Sequence, residues 1–211
     1  MLKKILVILL ALLLVCGVTF AESVPEEDPD AVTSATLKID RLPPVESEGS
    51  TILVVYFSPD DTTRAAAYVV AAALNAEIFE IEAAEPYTAD DLNYYNSKAR
   101  CMTEMADESI RPEIAVLPED LSGYDTVILG YPIWGGQAPK IVRTFLESVD
   151  LSGKTIIPFC TSNSSGIGNS DKTLYPFAGE DVTWEAGTRI KKGSTAQEIA
   201  EWAVTLAVPE K

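Results

Sequence analysis

The sequence predicts an α/β fold built on a parallel sheet, and three observations carry that prediction. Apolar runs rich in β-branched and aromatic residues recur along the chain, at lengths typical of buried strands. Segments with apolar residues at helical spacing separate these runs. The chain has 211 residues, enough for one or at most two domains, and its 47% hydrophobic content is normal for a globular protein.

Residues 1–21 have the build of a secretory signal peptide. Two lysines precede an unbroken apolar run, Ile5–Val15, and Ala21 ends a segment that fits a signal-peptidase site. An uncleaved anchor is one alternative, with a run that is short for a bilayer span. A lipid-modified Cys16 is another, although the residues before it match a lipoprotein cleavage box poorly. In every case we expect the rest of the chain to be exported, to the cell envelope or the extracellular space.

Residues 22–50 are predicted to be an acidic, flexible tether. They hold eight acidic and two basic side chains and little apolar material to bury, although residues 35–39 are a candidate edge strand. Without residues 1–21, the chain keeps 32 acidic and 14 basic side chains, a net charge of −18. Nucleic acid is therefore excluded as a partner, because binding its phosphates needs a basic face.

The folded domain is predicted to cover residues 51–211, with five strands separated by helices. The strands are Ile52–Phe57, Glu77–Ile81, Thr126–Gly130, Thr155–Cys160 and, at an edge, Val182–Glu185. The helices are predicted from about Thr63, over most of residues 87–111, over Ile141–Val149 and from about Thr195. Ligands of such folds bind at the carboxyl ends of the strands, so the loops after the first, third and fourth strands are the candidate site.

The first of these loops, between strand and helix, has the parts of a phosphate cradle. Ser58, Thr62 and Thr63 supply hydroxyl donors, and the N-terminus of the following helix supplies backbone N–H groups and a favourable dipole. Asp60 and Asp61 stand in the same turn, where they would repel a phosphate and can cap the helix themselves. A capped helix without a ligand is therefore the alternative for this loop.

The other two loops suit a flat, polar-edged ring. In the second, Trp134 lies between a strand end and two glycines, so its indole can stack on a ring, or can cover its own loop. The third loop, residues 161–170, is small, polar and rich in backbone donors that can contact the edge of a ring. A Ser/Gly-rich segment can equally be a plain connection.

Together these loops resemble those of the flavodoxin family, over residues 51–206. The resemblance is carried by Ile52–Phe57 with Ser58 and Thr62-Thr63, by TVILGYPIWGGQAPKIVRTFLE from Thr126, and by TIIPFCTSNSSGIGNS from Thr155. It implies a flavodoxin-like three-layer sandwich, with a five-stranded parallel sheet of order 2-1-3-4-5 and a noncovalently bound FMN. Pro158, which donates no ladder hydrogen bond and argues against a regular central strand, fits the family's pattern.

The resemblance also implies a role for each loop. The FMN phosphate would be held by Ser58, Thr62 and Thr63. The isoalloxazine ring would lie along Pro132, Ile133, Trp134 and Gly135, with Trp134 stacking. Its other edge would meet backbone groups of Thr161, Ser162, Asn163 and Gly166. The chain departs from the family at Asp60-Asp61, where Thr-Gly is usual, and at Asn163-Ser164, where Gly-Gly is usual.

The function expected from these features is that of an exported FMN-binding redox protein. Electron transfer and FMN-dependent reduction, as in quinone reductases, are both open, and the redox partner is unknown. Membrane contact is expected only through the N-terminal segment, if lipidated or uncleaved. The alternative is an exported flavodoxin-fold binding domain that has lost FMN through its acidic phosphate loop.

The chain has no histidine and three cysteines, which limits other chemistries. Ser-His-Asp catalysis, Cys-His catalysis and histidine-ligated zinc are excluded. A hydrolase using Ser164, Ser165 or Cys160 would lack a histidine base, and a metal at the paired acids of the first loop would need more ligands. Cys101 and Cys160 are expected to be buried free thiols, with a disulfide between them as the alternative.

Overall fold

A computed structural model describes residues 50–206 and residue 208, which belong to a single compact unit. The proposed signal peptide, Cys16, the edge-strand candidate and nearly all of the proposed tether lie outside the described residues. Within the described part of the chain, no helix combines the length and the apolar character needed to cross a membrane.

The described residues alternate strands and helices, as predicted. The strands are β1 (Ile52–Tyr56), β2 (Glu77–Glu80), β3 (Thr126–Pro132), β4 (Thr155–Ser162), β5 (Thr183–Trp184) and β6 (Thr188–Lys191). The helices are α1 (Thr62–Leu74), α2 (Arg100–Ala106), α3 (Lys140–Ser148) and α4 (Ala196–Ala203), with a 3₁₀ helix at Lys172–Phe177. The predicted first, third and last helices are thus confirmed to within about two residues.

The strands form one parallel sheet in the order β2-β1-β3-β4-β5, which confirms the predicted order 2-1-3-4-5. Pro158 sits inside β4, opposite Leu129 of β3, so the fourth run is a central strand despite its proline. The three central strands carry the apolar runs that the sequence shows, because both of their faces are covered.

The fifth position of the sheet is shared by two short strands. β5 pairs with the start of β4, and β6, which the sequence analysis did not predict, pairs with its end, from Phe159 to Ser162. Gly187 lies in the break, where an added Cβ would stand 2.3 Å from Ile167 Cδ1 and 2.7 Å from Pro158 Cγ. A glycine is therefore required for the chain to pass this close to β4.

Alternation along the strands divides the apolar side chains between two cores. In β1, Val54 and Tyr56 join the core beneath α1 and α4, whereas Leu53 and Val55 join the core beneath α3 and the 3₁₀ helix. These are the two interfaces of a three-layer sandwich. The sheet thereby holds the carboxyl ends of β1, β3 and β4 side by side.

The prediction of helix over most of residues 87–111 was wrong. The only helix there is α2, and most of residues 88–99 form turns. Asp91 accepts hydrogen bonds from the backbone and hydroxyl of Thr88, at 2.9 and 2.7 Å, and Asn93 and Asn96 accept further backbone N–H groups two residues on. Such short polar side chains compete with helix formation for the backbone.

Candidate functional site

The three predicted loops meet through direct contacts at the carboxyl edge of the sheet. The hydroxyl oxygens of Thr63 and Thr161 lie 2.7 Å apart and share a buried hydrogen bond, which joins the first loop to the end of β4. The backbone N–H of Ile133 donates to the carbonyl of Thr161 at 3.1 Å. The rings of Phe57 and Trp134 meet edge to face, with centroids 5.7 Å apart. The loops therefore form one surface.

The first loop turns tightly from β1 into α1. Ser58 is buried, and its hydroxyl oxygen accepts the backbone N–H of Arg64 at 2.9 Å, which leaves its own proton available to a ligand. Thr62 is half-buried, and its hydroxyl makes no hydrogen bond within the described residues. The backbone N–H groups of Asp61 and Thr63 also find no acceptor there. These donors form the set that an anion at a helix N-terminus would use.

The two acids of this loop are both engaged. Asp60 Oδ1 accepts the backbone N–H of Thr62, the first residue of α1, at 3.2 Å, whereas Asp61, the N-cap residue, makes no side-chain cap hydrogen bond. Asp61 has φ 62°, in the left-handed region, and its carboxylate pairs with Arg64. Arg64 in turn contacts Glu80, with Nη2 2.5 Å from Oε1.

The second loop presents Trp134 at the junction. Gly135 and Gly136 have φ values of 56° and 83°, as the central residues of a type I′ turn require. The residues on either side, Trp134 and Gln137, exchange two backbone hydrogen bonds of 2.9 and 3.0 Å. The turn thus fixes the indole, which is half-buried and packs edge to face on the rings of Phe57 and Tyr87.

Tyr87 is a residue that the sequence analysis did not assign to the site. Its ring centroid lies 5.4 Å from that of Trp134, and its hydroxyl donates to Glu104 at 2.7 Å. Arg100 covers the ring at 4.0 Å, and burial, together with Glu104, raises the pKa of the phenol. Tyr87 therefore stays uncharged, and its ring packs against the indole of Trp134. No local signal distinguished it, because its partner is distant in sequence.

The third loop is held from its outer side by Arg189 of β6. The guanidinium donates to the carbonyls of Ser164 and Ser165, at 2.6 and 3.2 Å, and the hydroxyl of Ser162 also donates to the carbonyl of Ser165. The backbone N–H groups of residues 163–168 meet no acceptor in the described part of the chain. The carbonyls of Ser164 and Ser165 are thus satisfied, while the donors of the loop are left for a ligand.

Not every predicted site residue joins this network through a side chain. Pro132 ends β3 and lies in register with Thr161 of β4, so only its position links it to the third loop. Asn163 and Gly166 make no hydrogen bond to the other two loops among the described residues. No cluster of acids and cysteines suited to a metal ion occurs in residues 50–206 or at 208.

A buried polar row lies beneath the third loop. The hydroxyl oxygens of Tyr131 and Ser170 are 3.1 Å apart, and Ser170 also donates to the carbonyl of Ile167 at 2.7 Å. Burial raises the pKa of the neighbouring Cys160 to about 12, so this thiol stays protonated. Cys101 and Cys160 are both buried and free, which confirms the favoured interpretation of the cysteines.

A second ionic cluster lies behind the tryptophan loop. The side chains of Lys140 and Arg143 are almost fully buried, and both contact the exposed carboxylate of Glu108, Lys140 at 2.6 Å. These two cations hold the pKa of Glu108 at about 2. Arg143 also donates to Gln137 Oε1 at 3.3 Å, so the cluster ties the chain around Glu108 to this loop.

The family model described as flavodoxin matches residues 51–206. Among curated proteins, none matches the chain.

Several solved structures are similar to the chain. One is a protein from Bacteroides uniformis assigned as a flavoprotein, 40% identical, with a TM-score of 0.68 over 74% of this chain and 98% of that one. Another, from Bacteroides eggerthii and assigned in the same way, is 40% identical, with a TM-score of 0.69 over 76% and 99% of the two chains. A flavoprotein from Lactobacillus acidophilus, in complex with FMN, shares the fold at 19% identity, with a TM-score of 0.55 over 72% and 98%.

Proposed function

The chain belongs to the flavodoxin family, and from that premise we propose that it is an FMN-binding redox protein that acts outside the cytoplasm. The observation that carries the proposal is the meeting of the three loops, with a half-buried tryptophan at their junction and unpaired backbone donors on either side. FMN is also the flavin bound by the Lactobacillus acidophilus protein of similar fold.

The donor set of the site fits a flavin. Thr62 offers a hydroxyl that makes no hydrogen bond to another described residue, Ser58 offers a hydroxyl proton, and the N–H groups of Asp61 and Thr63 extend the anion-binding end of α1. Trp134 offers an indole for stacking, and the N–H groups of residues 163–168 are placed for the polar edge of the ring.

A bound FMN would supply one- and two-electron chemistry, and the protein would supply orientation and electrostatics. The aromatic contacts of Trp134 with Phe57 and Tyr87 fix the plane on which the ring would lie. No side chain needs to act as an acid, base or nucleophile, which agrees with the absence of histidine. The acidic surroundings disfavour additional negative charge and would lower the reduction potential.

Export is supported by the sequence of residues 1–21 alone.

Within the proposal, the protein either carries electrons between partners or reduces a small acceptor such as a quinone. Consumption of NADH or NADPH in the presence of a quinone supports the reductase, and its absence supports the carrier.

A second candidate function is that of a flavodoxin-fold domain without a flavin. One observation favours it. The carboxylate of Asp60 already accepts a hydrogen bond from the N–H of Thr62, at 3.2 Å, and Asp61 adds a further negative charge to the turn. Both charges oppose a phosphate dianion.

Flavin binding by the full-length chain separates the two candidates. The chain is purified in detergent, because residues 1–21 are apolar, examined for visible flavin absorption, and titrated into FMN while the flavin fluorescence is followed. We expect saturable quenching. A colourless protein that leaves the fluorescence of FMN unchanged would refute the first candidate and support the second.

A further inference from the structure

Two carboxylates lie at the N-terminus of α1, and one of them already accepts a backbone hydrogen bond there. Asp60 Oδ1 accepts the N–H of Thr62 at 3.2 Å, in the place that a phosphate oxygen would take at a helix N-terminus. Asp60 is exposed and has no basic partner among the described residues. A phosphate that binds to the remaining donors must therefore lie beside this like charge, and one that takes the N–H of Thr62 must displace it.

The single cation of this turn is not available to a phosphate. The guanidinium of Arg64 lies between Asp61 and Glu80, and contacts Glu80 through both Nη2, at 2.5 Å, and Nε, at 3.3 Å. Glu80 also accepts the hydroxyl of Tyr56 at 2.9 Å, which fixes the far end of this pair. The network around the loop thus sets three carboxylates against one guanidinium.

Charge at this position acts in opposite directions on the two common forms of the flavin side chain. FMN ends in a phosphate dianion, and each carboxylate at about 5 Å weakens its binding on the order of tenfold in a watery environment. Riboflavin ends in a hydroxyl, which can donate a charge-assisted hydrogen bond to a carboxylate. An acidic loop therefore penalises the first ligand and accepts the second.

We propose that Asp60 and Asp61 are specificity-determining residues that make the flavin site accept riboflavin at least as tightly as FMN. The inference rests on the proposed function, because it concerns the same site and requires that a flavin binds there. In the bound state, the terminal hydroxyl of the ribityl chain donates to one of the two carboxylates, and Asp60 keeps the hydrogen bond from the N–H of Thr62.

The experiment compares riboflavin and FMN as ligands of the full-length chain, by quenching of flavin fluorescence. We expect the Kd for riboflavin to be equal to or lower than that for FMN. In the double variant Asp60→Asn, Asp61→Asn, which keeps the shape of both side chains, FMN should bind about tenfold or more tightly than in the wild type. Riboflavin should lose no more than about threefold in the same variant.

A matched control removes two acids elsewhere. Glu180 and Asp181 are exposed neighbours whose side chains make no hydrogen bond or ion pair with any other described residue. The carbonyl of Asp181 accepts the N–H of Gly153, just before the amino end of β4. The variant Glu180→Gln, Asp181→Asn therefore changes the net charge equally at the opposite end of the sheet. We expect it to leave both dissociation constants unchanged within about twofold.

Added salt provides a second measurement. Because repulsion between exposed charges is screened, raising the ionic strength should tighten FMN binding to the wild type and leave riboflavin binding unchanged. A Kd for FMN on the wild type that is lower than the Kd for riboflavin, or an unchanged FMN affinity in the double variant, would overturn the inference and leave the proposed function standing. Failure of both flavins to bind would overturn the two together.

Discussion

Thr63 and Thr161 share a hydrogen bond between two buried hydroxyl groups, at the point where the loop after β1 meets the end of β4. Both side chains are buried, so each hydroxyl depends on the other for its hydrogen bond. We expect Thr63→Val or Thr161→Val alone to lower the free energy of unfolding by about 1–3 kcal/mol, because one polar group is left unsatisfied.

The double variant Thr63→Val, Thr161→Val should cost less than the two single changes together, since it leaves no orphaned hydroxyl. Urea unfolding of the four proteins measures this coupling. Thr183→Val, at an exposed position, is the control and should change stability by less than about 0.5 kcal/mol. Additive single effects would show that the two threonines do not form the pair.

Trp134 should matter for flavin binding more than for folding. We expect Trp134→Leu to weaken the affinity for flavin about fivefold to tenfold, because the stacking surface is lost. Trp184 is the matched control. It is half-buried, its ring centroid lies 4.6 Å from that of Tyr175, and it is paired with Ile156 near the amino end of β4. Trp184→Leu should leave flavin affinity unchanged, and equal losses in both variants would contradict the assignment.

Gly135 is required for its backbone conformation and not for space. Its φ is 56°, and an added Cβ would meet no atom of the described residues within 4 Å. We therefore expect Gly135→Ala to lower the free energy of unfolding by about 1–2 kcal/mol through strain alone. Gly123 has the same open surroundings without a positive φ, so Gly123→Ala should stay within about 0.5 kcal/mol of the wild type. Thermal or urea unfolding checks the difference.

The ion pairs of Glu108 with Lys140 and Arg143 should make the free energy of unfolding depend on pH in the acidic range. The pKa of Glu108 falls from 4.5 to about 2 in the folded protein, so its stabilising effect is complete above about 4.5 and is lost as the pH falls towards 2. We expect Glu108→Gln to be less stable than the wild type at neutral pH. The difference in urea midpoint should shrink across this window, and a difference that is independent of pH would contradict the pairing.

The two buried thiols should be unreactive until the protein unfolds. Burial raises the pKa of Cys101 and brings that of Cys160 to about 12, so little thiolate forms at neutral pH. In a Cys16→Ser background, a thiol reagent should detect no cysteine in the native protein and two after denaturation. Detection of none after denaturation would indicate a disulfide between them.

The sequence was informative wherever neighbours along the chain decide the structure. Ile52–Tyr56 and Thr126–Pro132 are apolar on both faces, which is the pattern of a buried parallel strand, and Thr195 with Glu198 forms the capping box that starts α4. Ser58 and Trp134 could be predicted at the site because they follow such strands within two residues, and Thr63 because it lies in the first turn of the next helix.

The parts that were missed depend on partners far along the chain. Arg189 contacts carbonyls 24 and 25 residues away, and it lies on β6, a strand too short and too polar to be recognised. Tyr87 belongs to a polar segment whose turns follow from local side-chain hydrogen bonds, and only the fold brings it to Trp134. The left-handed backbone conformation of Asp61 also could not be predicted from the sequence, because residues other than glycine rarely adopt it.

The division of the outer sheet position between β5 and β6 also bears on how copies of the chain meet one another. An uninterrupted edge strand offers a row of unpaired N–H and C=O groups on which another molecule can pair. Here the row is broken at Gly187, and its second half carries Arg189 and the exposed Lys191. This edge of the sheet therefore resists pairing with a strand of a second molecule.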